Sequence, residues 1–176
     1  SYIVLGVALG VPEAFAGGVF HIASHGLLKI TLFFCAGALY VAAGVERVSE
    51  LDGIGRRMPL TMTAFAIAAF LLAGLPPGPA FASKWRLLAG AVEAQAWLAV
   101  ATLSASTVLN IAYFAPIVVR AFRTGSGAPM HEAPLRILAP LLVTAAAGLL
   151  LGVDPDAGAR LWSLAQAVAA SVAGAR

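Results

Sequence analysis

Long apolar segments, separated by short polar loops, make up most of this chain. Residues 15–44, 59–75, 97–122 and 137–152 carry almost no charge. A helix crossing a bilayer needs about 20 such residues, and a spanning backbone must satisfy its own polar groups internally. The pattern predicts an all-α fold, a polytopic transmembrane helix bundle. Charge content agrees: 11% of the 176 residues are charged, against about 25% in a soluble domain. No segment reads as a soluble domain, so residues 1–176 form one transmembrane domain.

The predicted spans are approximately 1–11, 15–44, 59–92 and 97–122, with a short one over 137–152. Residues 1–11 read as the tail of a helix, and Pro12 and Glu13 as a turn. A closing helix over 157–174 places Leu161, Leu164, Val168 and Val172 on one face, lying on or against the membrane. The chain opens at Ser1 directly in apolar sequence, with no charged leader, cleavage site or start methionine. Ser1 is therefore read as an internal position, and the chain as the C-terminal part of a larger subunit.

The net charge of +3 is small and scattered, which argues against a nucleic-acid partner. Cys35 is the single cysteine, so no disulfide framework or cysteine-based metal site exists. It reads as a small hydrophobe in helix packing. No cofactor motif, metal-ligand cluster or catalytic constellation appears.

The segment 59–92 is interrupted by Gly74-Leu75-Pro76-Pro77-Gly78-Pro79, which cannot continue a helix. Apolar sequence resumes at Ala80. The segment is one discontinuous membrane helix, broken at 76–82 around Pro76, Pro77, Gly78 and Pro79, or a full helix followed by a re-entrant half. Irregular backbone at membrane depth persists only where protein or a water-filled cavity surrounds it, and in transporters such breaks mark ion sites. Pro116 predicts a kink in the 97–122 span.

If the spans alternate, loops 45–58 and 120–136 share a side that carries Arg47, Arg56, Arg57, Arg120, Arg123 and Arg136. The other side holds Glu13, Glu93, Asp154 and Asp156, with Arg160 and Arg176. The excess of arginine places the first side in the cytoplasm.

Only two lysines occur, Lys29 and Lys84, both inside apolar segments, whereas most of the nine arginines lie in loops. Arginine keeps its proton under all ordinary conditions, while a desolvated lysine can release one. His21, His25 and Lys29 follow an i, i+4, i+8 spacing, so they rise along one helix face in a column roughly 12 Å long. Ionisable groups at mid-membrane cost about 2.5–3.5 kcal/mol each, so three on one stripe imply a polar cavity. Interhelical hydrogen bonding without transport is the plainer reading of the same stripe. Lys84, just past the break, can titrate there or snorkel to the interface beside Trp85 and Arg86. No carboxylate in the chain is an obvious partner for it. Thr102, Ser106, Asn110 and Tyr113 share a face that can extend a hydrated path or serve as polar glue between helices. His131, beside Pro129 and Glu132, reads as solvated.

FHIASHGLLKITLFFCAGALY (20–40) and ELDGIGRRMPLTMTAFAIAAFLLAGLPPGPAFASKWRLLAGA (50–91) resemble the antiporter-like, proton-conducting membrane subunits. That family includes the pumping subunits of respiratory complex I, those of membrane-bound hydrogenases and the large subunits of Mrp-type sodium/proton antiporters. The resemblance covers nearly the whole chain. Within the family, KITLFFCAGALYV (29–41), GIGRRMP (53–59), SKWRLL (83–88), LNIAYFAPIVVRAF (109–122) and HEAPLRILAPLLVTAAAGLLLG (131–152) are most similar to the D-type large subunit of the Mrp antiporter.

The resemblance implies a fold of about fourteen helices with two inverted repeats, of which this chain supplies most of the second and the C-terminal helices. It implies a proton relay of Lys84, Lys29, His25 and His21. It also implies partners: other subunits of a membrane complex, a missing N-terminal half, the lipid bilayer, and protons and sodium as cargo, in a bacterial inner membrane. Two departures stand out. Ala80 replaces a glycine usual before the phenylalanine, and Pro79 is added. The first repeat, with its glutamate–lysine pair and central lysine, is absent.

The leading expectation is proton translocation within a multisubunit sodium/proton antiporter, with no cofactor of its own. The first alternative is a proton-pumping subunit of an NADH–quinone oxidoreductase or hydrogenase, with the redox centres on partner chains. The second is a non-conducting scaffold.

Overall fold

The computed structural model describes residues 1–123, 131–156 and 160–174. Among them every regular element is helical: α1 (Tyr2–Ala8), α2 (Pro12–Ala43), α3 (Ile54–Arg57), α4 (Pro59–Ala73), α5 (Pro79–Glu93), α6 (Trp97–Phe122), α7 (Leu135–Val153) and α8 (Leu161–Gly174). Helices α2, α6 and α7 are each long and apolar enough to cross a membrane. The predicted positions 124–130, 157–159 and 175–176, with Pro129 and Arg176, lie outside the described residues.

Several predicted boundaries move, each for a local reason. Pro12 and Glu13 are not a turn. Pro12 is the first residue of α2, where its missing N–H costs nothing and its fixed φ suits the helix. The turn lies upstream, at Gly10 with φ 69°. The break occupies residues 74–78, not 76–82. Gly74 takes φ 97° and ends α4, with Leu75 N donating to Phe70 O at 3.3 Å, a cap that glycine accepts without steric penalty. Pro79 does not prolong the break, because it too fits a first helical position. Ala80, where the family usually has glycine, lies fully buried in the first turn of α5.

Helix α2 is the centre of the bundle and packs against α1, α4, α5, α7 and α8. It runs antiparallel to α5 at close range, as small residues show. A Cβ on Gly90 would lie 2.5 Å from the Ala14 Cβ, and one on Gly17 would lie 2.9 Å from the Arg86 Cβ. That register sets His21 beside Ser83. Helix α7 covers the break, with Gly152 pressed against Pro77 and Gly78. The irregular backbone therefore lies against protein, as it must within a membrane.

The 45–58 stretch is less of a polar loop than its charges imply. Leu51, Ile54 and Met58 are buried, and they join Cys35, Met62, Ile117 and Leu141 in one apolar core. Loops 45–58 and 120–136 do share a side. Arg120 Nε lies 3.0 Å from Asp52 Oδ1, and Gly53 N donates to Arg120 O. Arg86 pairs with Glu13 of α2, and its guanidinium lies 4.9 Å from the Trp162 ring of α8. Those contacts tie α2, α5 and α8 together at the opposite end. His131 is exposed.

Candidate functional site

Lys84 projects from the second turn of α5 back toward the end of α4. A helix leaves its last carbonyls without internal donors. Here the Lys84 Nζ donates to Ala73 O at 2.8 Å and to Leu72 O at 3.3 Å. Gly74 makes the room, since a Cβ there would lie 3.0 Å from Lys84 Cδ. The lysine is 8% exposed, and its partners are backbone carbonyls, not a carboxylate. The Tyr2 ring lies 5.3 Å from its Nζ.

Along α2 the three titratable residues step from inside to outside. His21 is buried, His25 half-buried and Lys29 exposed. The two imidazole centroids are 5.3 Å apart. His21 Nδ1 sits 2.7 Å from Ser83 Oγ, and the Tyr2 ring lies 4.8 Å from His21 on another side.

One cavity of about 280 Å³ joins these groups. Helix α2 gives it His21, His25 and Lys29, α5 gives Lys84, and α6 gives Ser106, Asn110 and Tyr113. Tyr2 lines it from α1, with its hydroxyl 2.6 Å from Ser106 Oγ. Every relay residue expected from the sequence, and the three residues of the possible hydrated path, thus border one space. Thr102 does not. It is exposed, and its hydroxyl donates to Leu98 O of its own helix at 2.7 Å. Among the described residues the cavity wall holds no Asp or Glu, so its ionisable groups there are cationic or neutral. Its polar residues can hold water, whereas each proton added must be tolerated by the others.

Lys84 also lines a second cavity of about 290 Å³, between α5 and α6, with Trp85, Ser104 and Thr107. A third, of about 370 Å³, runs between α2, α4 and α6 from Lys29 to Glu46 and Arg47, with largely apolar walls. Lys84 and Lys29 therefore each stand between two spaces.

Three contributors escape a reading of the sequence alone. Tyr2 reads there only as part of a helix tail, and nothing in its position announces the cavity. Ser83 adjoins Lys84, but only the α2–α5 register places it at His21. Glu132 accepts from Leu60 N at 2.6 Å and from the Thr61 hydroxyl at 2.7 Å. It thereby caps α4 from 71 or more residues away in sequence, beyond the reach of any local capping signal.

Residues 1–110 match the family described as the transmembrane region of NADH:quinone oxidoreductase and the Mrp antiporter. Subunit N of the NADH-quinone oxidoreductase of Desulforudis audaxviator (strain MP104C) is 40% identical over 168 residues, covering 87% of this chain and 34% of that protein. The chain thus spans about a third of that relative's length. Among solved structures, the Mrp complex of Dietzia sp. DQ12-45-1b superimposes with TM-score 0.87 at 26% identity, over 97% of this chain and 40% of that one. Respiratory complex I of Thermus thermophilus does so with TM-score 0.83 at 30% identity, over 96% and 36%.

Proposed function

The chain belongs to the NADH:quinone oxidoreductase/Mrp antiporter transmembrane family, and from that premise we propose that it carries protons across a membrane as part of a larger, multisubunit complex. The carrying observation is the single cavity shared by Lys84, His21, His25 and Lys29. Lys84 and Lys29 bind and release protons at its two ends. His25 stands between them with His21 beside it, and water held by Ser106, Asn110 and Tyr113 completes the path. Coupling is electrostatic: a proton on one group raises the cost of a proton on the next, most strongly where no carboxylate shares the space.

Two assemblies fit this activity. Motif similarity favours a sodium/proton antiporter, in which inward protons drive sodium outward. The 40% identity to an NADH-quinone oxidoreductase subunit favours a respiratory complex, and we give that observation the greater weight. Sequence identity separates subunits of one fold better than superposition does. In either assembly this chain is a transporter subunit with the loops 45–58 and 120–136 in the cytoplasm, in a bacterial inner membrane, and other subunits supply any redox chemistry.

The test uses everted vesicles from cells carrying the full-length subunit with its native partners and a pH-sensitive dye. In a respiratory assembly, NADH-driven acidification falls in Lys84→Ala and sodium has no effect. In an antiporter, added sodium collapses the gradient in wild type and not in the variant. If Lys84→Ala matches wild type in both assays, the scaffold reading replaces this one.

A further inference from the structure

His21 is the most enclosed titratable group of the cavity, at 2% exposure, and among the described residues its Nε2 has no hydrogen-bond partner. Its Nδ1 does have one, Ser83 Oγ at 2.7 Å. Ser83 Oγ in turn lies 3.0 Å from Ala80 O, placed to donate to it. A serine hydroxyl has one hydrogen. Given to the Ala80 carbonyl, it leaves Oγ only lone pairs for the imidazole, so Nδ1 must carry a hydrogen and donate. The reverse assignment turns Ser83 away from Ala80 O. It also puts a hydrogen on Nε2, which has no protein acceptor among the described residues.

We infer that Ser83 is a positioning residue that fixes His21 as the Nδ1–H tautomer, leaving Nε2 as its one proton-accepting atom. The inference deepens the proton-carrier reading and rests on it for its functional meaning. A histidine linking two sites in series takes a proton on one nitrogen and gives it up from the other. His21, held on Ser83, takes a proton on Nε2 to become an imidazolium with both nitrogens protonated. It then returns that proton from Nε2 and regains its neutral form. It is a side station on the path and not a link in series. Protons moving between Lys84 and His25 pass its Nε2 by way of cavity water. The groups facing the ring are Tyr2 from α1, His25 from α2, and Lys84 and Ser83 from α5.

The experiment is ¹⁵N solid-state NMR of the full-length subunit, histidine-labelled, within its native complex in membranes. His21 is identified by the signal lost in His21→Asn. At a pH where the ring is neutral, the expected spectrum has a protonated Nδ1 and a bare Nε2. Ser83→Ala then shows a mixture of the two tautomers. Ser83→Thr, which keeps the hydroxyl, retains the wild-type tautomer. A wild-type His21 protonated at Nε2, or a tautomer unmoved by Ser83→Ala, overturns the inference. The spectrum reads the tautomer whether or not the complex moves protons. A fixed tautomer with flux indifferent to His21 and Lys84 would therefore sink the carrier reading alone.

Discussion

The ammonium of Lys84 lies 2.8 Å from the carbonyl oxygen of Ala73, so the second half of the broken helix closes the open end of the first. Helix C-termini favour cations and N-termini favour anions. Helix α4 has both: Lys84 at its last carbonyls, and the Glu132 carboxylate at the Leu60 and Thr61 amides. Its position along its axis is set by a charge at each end, one on the side of the arginine-rich loops and one at the break.

Lys84 should therefore tolerate arginine structurally and not functionally. An arginine can still donate to the Leu72 and Ala73 carbonyls, but it does not give up a proton under accessible conditions. Methionine removes the donor altogether and leaves those carbonyls short of a partner, a loss of about 1–3 kcal/mol. Lys84→Arg should assemble with near-normal thermal stability in detergent and carry no proton flux, while Lys84→Met loses both. Flux at wild-type level in Lys84→Arg would remove the lysine from the proton path.

Gly74 should resist even alanine. Its φ of 97° is left-handed, costing a side chain about 1–2 kcal/mol, and the added Cβ would sit 3.2 Å from Lys84 Nζ. Gly26→Ala is the control, since a Cβ there meets nothing within 4 Å. The thermal inactivation midpoint of the purified complex should drop for Gly74→Ala and stay put for Gly26→Ala. Equal midpoints would mean that the break is not shaped around the lysine.

Much of this arrangement is legible in the sequence. Hydropathy and charge locate apolar helices, with the 97–122 segment coinciding with α6, and the i, i+4, i+8 spacing puts His21, His25 and Lys29 on one face. The break is visible as prolines and glycines, but its limits are not. Whether Pro79 extends a loop or starts a helix depends on a choice between two conformations that proline allows equally. The least legible features are contacts between distant segments. Tyr2 meets Ser106 across 104 positions, and Ser83 meets His21 across 62. Neither pairing leaves a local pattern, because each depends on the register of packed helices. Arg86 is a further case, since only the α2–α5 packing reveals Glu13 as its partner.

Glu132 offers a graded test of the far end of α4. Glu132→Gln keeps an acceptor for the amides of Leu60 and Thr61 and loses only the charge. Glu132→Ala loses both, at a cost of about 1 kcal/mol, typical of a lost N-cap. Thermal inactivation midpoints should rank wild type above Gln and Gln above Ala. A Glu132→Ala protein as stable as wild type would show that the carboxylate does not hold α4.

The attachment of α8 should depend on pH through Asp156. Its carboxylate accepts from the Ser163 hydroxyl at 2.6 Å and from the Ser163 amide at 2.8 Å. Those bonds favour the ionised form and hold its pKa below the usual aspartate range. A carboxyl depressed in the folded state contributes stability above its unfolded value, near 3.9, and loses it as pH falls through the lower folded value. Trp162, the reporter, packs edge-on against Phe20 with ring centroids 5.6 Å apart. In a Trp85→Phe, Trp97→Phe background, its fluorescence should stay constant from neutral pH down to the aspartate range and then change as α8 loosens. Asp156→Asn cannot ionise, so it should lack that acid transition and be looser already at neutral pH. An acid transition of the same midpoint and size in Asp156→Asn would assign the loosening to another group.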